Sequence, residues 1–152
     1  MAKAPGRASL QVAQAAGDKA TENHALWEAF GFYKDAIDIL EKNKAIINAD
    51  PSHLKILDSM ITPMRLLSYP EGSVRILEIG EDIANRANDR RRVAFLQNEL
   101  GVYHVTRANI INANRHFEEA FKVAKVEHDD ELLVSSGMIP FVYSGFRKLI
   151  FS

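Results

Sequence analysis

The side chains best suited to chemistry are the five histidines, His24, His53, His104, His116 and His128. None stands four residues from another and there is no His-Glu-x-x-His, so the helical spacing that aims two imidazoles at one metal ion is absent. His116 lies beside Glu118 and Glu119, and His128 beside Asp129 and Asp130. Such neighbours suit a metal site or proton transfer. They suit a solvated helix face and a polar turn better, because nothing else gathers round them. Glu78, Glu81 and Glu118 are the carboxylates a small all-α hydrolase would use, but that chemistry needs them buried around one cavity with shifted titration. The run Arg90-Arg91-Arg92, with Arg86 nearby, suggests phosphate. Glu78, Glu81, Asp82 and Asp89 flank it and no ladder of aromatics accompanies it, so it reads as a cation-rich turn between helices. The absence of cysteine excludes disulfides, thiolate metal sites and cysteine nucleophiles, and there is no Gly-x-x-x-x-Gly-Lys-Ser/Thr loop for nucleotide phosphates. The expectation is a chain with no catalytic residue, no metal and no cofactor.

Composition points the same way. The 152 residues are 47% hydrophobic and 26% charged, enough for one domain with a real core. A net charge of -1 gives no general pull toward nucleic acid or anionic lipid. The first residues, MAKAPGRASLQ, hold no apolar stretch of the signal-peptide kind. The most apolar tract, Leu132 to Phe146, is shorter than the roughly 18 residues a membrane span requires and is interrupted by serine, glycine and proline. These features predict a soluble, cytoplasmic protein with no nucleic-acid or membrane partner.

The elements that must position any site are helices. Leu26, Ala29, Tyr33, Ala36, Ile37 and Leu40 recur at three- and four-residue steps and give one buried face to a helix from His24 to about Asn43. Asp50 and Pro51 read as the cap and first residue of the next helix, which carries Leu54, Leu57, Met60, Ile61, Met64 and Leu67, with a kink or early end expected at Pro63. After the turn YPEGS a helix runs from Val74 to Ala87 with Leu77, Gly80, Ile83 and Ala84 inward. Another follows NDRR to about Arg107, and the last two follow in turn. No segment alternates with period two. The fold class is all-α, about seven antiparallel helices: a flexible N-terminus over 1–7, then one domain over 8–152 with hairpins at about 8–43, 51–87 and 90–126 and a terminal helix at about 130–150.

The hairpins repeat a pattern. Ala29, Tyr33 and Ala36 recur as Ser73, Leu77 and Gly80, and again as Ala113, Phe117 and Ala120, displaced by 44 and then 40 residues. Small residues let the second helix approach the first, and the large side chain fills the space between them. Stacked hairpins of this period form a solenoid, because one hairpin cannot bury its own face.

The segment Leu100 to Ala120 resembles a tetratricopeptide repeat (TPR) in Leu100, Gly101, Ala113, Phe117 and Ala120. It departs from the pattern at Gln97, where tryptophan is common, at His104, where tyrosine is common, and at Lys125, where proline is expected. Ala16-Gly17 stand ahead of Ala29 as Leu100-Gly101 stand ahead of Ala113; Met60-Ile61 and Pro140-Phe141 do not fit. In the order of the segments 15–40 (AAGDKATENHALWEAFGFYKDAIDIL), 68–91 (SYPEGSVRILEIGEDIANRANDRR) and 100–125 (LGVYHVTRANIINANRHFEEAFKVAK), the chain is similar to the TPR-like C-terminal region of large bacterial signalling ATPases linked to adenylate or guanylate cyclases or to transcriptional regulators. The resemblance implies a TPR-like α–α superhelix and a non-catalytic role in protein–protein interaction or ligand sensing.

In such a superhelix the first helices line a concave groove. Matching its positions onto this chain gives Asp58, Ser59, Thr62 and Arg65, then Asn98, Val102, Val105 and Thr106, extended by Ser135, Met138 and Val142. An asparagine at the place of Asn98 suits the backbone of an extended peptide. The alternative is that Val102, Val105 and Met138 are core and Asn98 is solvated. The last helix is too apolar to face water on all sides, with Phe141, Phe146 and Ile150 among its residues, so it is either cut from a longer array or buried against a second copy in a homodimer. A free-standing peptide-binding sensor and the small hydrolase stand as alternatives to the module reading.

Overall fold

The computed structural model describes residues 5–43 and 49–133. These lie in helices joined by short turns, and there is no strand among the described residues. The chain divides into two compact units, 1–73 and 74–152.

The first unit holds α1 (Pro5–Glu22), α2 (Leu26–Lys42) and α3 (Ala49–Leu66). α1 and α2 form an antiparallel hairpin, and α3 packs mainly on α2. Ala29, Tyr33, Ala36, Ile37 and Leu40 of α2 and Ile56, Leu57, Met60, Ile61 and Met64 of α3 are buried in this unit, where the two helices pack together. Pro63 does not end α3, which continues three residues further to Leu66. Pro63 is itself buried, and its carbonyl accepts from the Leu67 N–H at 3.0 Å, so the helix closes normally after the proline.

The second unit holds most of α4 (Ser73–Arg86), with α5 (Arg90–Thr106) and α6 (Ile110–Glu127), and residues 130–133 begin another helical turn. α5 and α6 form the second antiparallel hairpin. Side-chain oxygens close the starts. Asp89 accepts from the Arg92 N–H at 3.0 Å, Asn109 from Asn112 at 3.3 Å and Asp129 from Leu132 at 3.1 Å. Each uses one of the N–H groups a helix start leaves unpaired. Ala94, Ala124 and Leu132 form a small core flanked by Phe95, Val123 and Leu133.

The two hairpins interlock by the same device. A Cβ placed on Gly17 would lie 2.6 Å from Tyr33 Cε1, and one on Gly101 would lie 2.4 Å from Phe117 Cε1. In both hairpins glycine and ring are sixteen residues apart in sequence, and the alanines four before and three after the ring are fully buried. One edge of the ring, Cδ1, Cε1 and Cζ, lies close against the bare backbone, a contact that any side chain at the glycine would block. Burial of each ring contributes on the order of 2–3 kcal/mol.

Candidate functional site

The positions expected to line a groove fall on two helices in two units. On α3, Asp58, Thr62 and Arg65 are all exposed and share one face through their four- and three-residue spacing, with Ser59 half-buried beside them. On α5 the corresponding positions, forty residues on, are Asn98, Val102 and Val105. They are of another character: Asn98 is only 6% exposed, and Val102 and Val105 are half-buried. Thr106 is exposed, but its hydroxyl donates to the Tyr103 carbonyl at 2.7 Å and receives the Arg107 guanidinium at 2.8 Å. Met138, Ser135 and Val142, and the self-association residues Phe141, Phe146 and Ile150, lie outside the described residues.

Asn98 is the member with unmet chemistry. Its Oδ1 is buried and has no hydrogen-bond partner among the described residues. A buried amide oxygen with no partner costs about 1–3 kcal/mol, so its presence calls for an explanation.

A second cluster lies within the second unit and was not foreseen as a site. Gln97, on α5, donates its amide Nε2–H to Glu81 Oε1 of α4, and its Oε1 lies 2.6 Å from Nδ1 of His116 on α6. With the amide nitrogen turned to the carboxyl group, the amide oxygen faces the imidazole, so His116 Nδ1 carries the proton and Nε2 is the bare acceptor. The His116 ring stacks on His104 with centroids 5.2 Å apart and planes 9° from parallel. Tyr103 meets His104 edge-on at 5.1 Å, and the Arg107 guanidinium sits 5.0 Å over the Tyr103 ring.

The electrostatics follow from half-burial. Desolvation pushes the His116 pKa down to about 4, helped by His104 and Arg115. His104 is also lowered, by burial and then by Arg115, with Glu78 pulling the other way. The Glu81 carboxyl is raised by burial; the Gln97 bond opposes this, and Glu78 and Asp82 add to it. The imidazoles are therefore neutral at pH 7 and weak bases, a poor match for a general base or nucleophile working near neutrality. Gln97 and His104 are two of the three places where this repeat departs from the TPR pattern, so the departures were the available signal. What the pattern lacked was their meeting with Glu81 and His116.

The remaining candidates are scattered. Glu78 and Glu118 are exposed while Glu81 is half-buried, so the three carboxylates do not share one environment. Within the arginine run, Arg91 pairs with Asp129 at 2.5 Å and Arg92 with Asp89 at 3.4 Å. That first pair ties the head of α5 to the turn after α6, and its guanidinium holds the Asp129 carboxyl below the usual range, with the Leu132 N–H adding to the effect. His53 is buried in α3, and His24 and His128 stand at left-handed turn positions. Among the described residues there is no group of three or more histidines and carboxylates that could hold a metal ion, and no helix is long and apolar enough to cross a membrane. Comparison of the chain with protein-family models, with curated proteins and with solved structures finds no match.

Proposed function

We propose that this chain is a non-catalytic helical-repeat module that binds a protein or peptide segment, as part of a bacterial signalling or regulatory system of the kind its sequence resembles. The observation that carries this reading is Asn98, a buried amide whose oxygen has no partner among the described residues, at the first position of the Asn98–Val102–Val105 stripe. An extended peptide supplies what this stripe lacks. Its apolar side chain covers Val102 and Val105, and its backbone N–H bonds Oδ1 once the Asn98 amide, buried in the free chain, turns outward. The weak basicity of the imidazoles and the dispersal of the carboxylates fit a binding role better than a hydrolytic one. The α3 face of Asp58, Thr62 and Arg65 offers an exposed polar stripe at the equivalent repeat positions.

Selection of peptides from a displayed random library on the intact chain tests this, with Asn98→Leu and Val102→Asp as counter-screens. Selected peptides should bind the wild type and lose about tenfold or more in affinity to Asn98→Leu, the worth of one buried hydrogen bond. Peptides that bind both forms equally would remove Asn98 from the site, and a library that yields no binder would count against the peptide-module reading.

A further inference from the structure

The Glu81–Gln97–His116–His104 cluster joins three helices through one amide, and nothing in a binding role requires it. We infer that it is an acid-released latch, which holds α4 to the α5–α6 hairpin while the two stacked imidazoles are neutral and lets go when the stack takes up protons.

The geometry supplies both the hold and the release. Gln97 is the link, with its amide nitrogen on Glu81 of α4 and its oxygen on His116 of α6. The His116 ring is kept in place by the parallel His104 ring 5.2 Å away. Two neutral imidazoles stack favourably, whereas a cation on either one faces the other ring with water partly excluded.

The charged groups around the pair decide the order of events. α4 brings Glu78 and Glu81, with Asp82 acting on Glu81. α5 brings His104 itself, with Arg107 one ring away over Tyr103. α6 brings Arg115, which opposes a proton on both histidines. His104 is the less buried of the two and feels the Glu78 carboxylate, so it takes the first proton. That proton then faces His116, whose own protonation adds a second cation beside Arg115. The relief is for His116 to turn out to water, where its pKa returns toward 6.5. Gln97 then loses the partner that fixed its amide, so its bond to Glu81 can exchange for water and α4 is held less firmly to the hairpin. Glu78 favours a proton on His104 in the closed state and so delays the release rather than driving it.

Nitrogen-15 NMR of the histidine rings, with hydrogen exchange of the helix amides, tests this on the full chain. At pH 7.5 His116 should be the Nδ1–H tautomer, with half-protonation near pH 4. Between pH 7.5 and pH 5, protection in α4 should fall about tenfold, after correction for the intrinsic exchange rate, while α1 to α3 keep theirs. In His104→Tyr the fall should shrink and the His116 titration should move up. In Gln97→Met the tautomer should no longer be fixed, which preserves the test if the tyrosine variant does not fold. A His116 ring in the Nε2–H form, or one titrating near 6.5, would overturn the latch. So would α4 protection that ignores pH, or a parallel loss in all helices, which is general acid unfolding.

Discussion

The same substitution at three helical glycines should change stability with opposite signs. Replacing a mid-helix glycine by alanine stabilises by about 1 kcal/mol where the new methyl meets nothing, because the unfolded chain loses freedom it no longer has to give up. At Gly31 a Cβ finds no atom within 4 Å, so Gly31→Ala should raise stability by about 0.5–1 kcal/mol. At Gly101 the Cβ would lie 2.4, 2.6 and 2.8 Å from three atoms of the Phe117 ring. That ring is fully buried, so it has little room to swing aside. Overpacking of this kind costs about 1–3 kcal/mol, and more when backbone must part. The net effect of Gly101→Ala is a loss of about 1–2 kcal/mol after the propensity gain is subtracted. Gly17→Ala meets Tyr33 Cε1 at 2.6 Å, and that ring is pinned at its tip too, where the hydroxyl donates to Asp18 at 2.7 Å and lies 3.3 Å from Thr21. Urea unfolding followed by circular dichroism reads all three variants. If Gly17→Ala and Gly101→Ala raise the midpoint as Gly31→Ala does, the interlock is not what holds the hairpins together. A companion variant, Gly101→Ala with Phe117→Leu, should recover part of the loss, and strict additivity of the two changes would also refute the contact.

Other outcomes follow from the same structure. His116 has a folded pKa of about 4 against 6.5 unfolded, so the unfolded chain binds the proton first. Its contribution is intact above pH 6.5 and is lost as pH falls toward 4, by about 1–2 kcal/mol once its half-exposure is discounted, and thermal midpoints of wild type and His116→Gln across that range check it. Glu81 has the opposite sign: its raised carboxyl costs stability as pH rises through its folded pKa, so Glu81→Gln should stabilise at pH 7 and make no difference in acid. Ala108 and His128 hold φ near +54° and +52° at turns where glycine sits without strain, so Ala108→Gly and His128→Gly should each gain about 0.5–1 kcal/mol in chemical denaturation.

The helices were legible because their apolar residues recur at helical steps and their turns carry Asn, Asp, Pro and Gly. The buried faces of α2 and α3 follow from Tyr33, Ile37, Leu40, Leu57, Met60 and Met64, all foreseen as inward. The interlock was legible in outline as a small-large-small pattern; its cause, a ring pressed on glycine backbone, joins residues sixteen apart on two helices, which no local spacing shows. α5 resisted reading. Its stripe is broken by Asn98 and Glu99, both buried, and periodicity assigns polar residues to the outside. The polar cluster was hidden for a different reason. Glu81, Gln97 and His116 are sixteen and nineteen residues apart on three helices, and no local spacing rule reaches across two turns.

Asn98 sets stability against binding, and that opposition is what makes it decisive. If its oxygen is unmet in the free protein, Asn98→Leu removes a penalty of about 1–3 kcal/mol and adds apolar surface of nearly the same shape. The free protein should then gain about 1 kcal/mol, while every peptide that uses the amide loses affinity. Residues kept for packing behave in the other way, since replacing them costs stability and leaves binding alone. Equilibrium unfolding of wild type and Asn98→Leu, with no peptide present, separates the two. A stabilised variant would mean that the amide is held for something outside the fold. A variant destabilised by a kcal/mol or more would mean that the oxygen is satisfied within the chain, and the peptide site would then have to be sought on the exposed face of α3, at Asp58, Thr62 and Arg65.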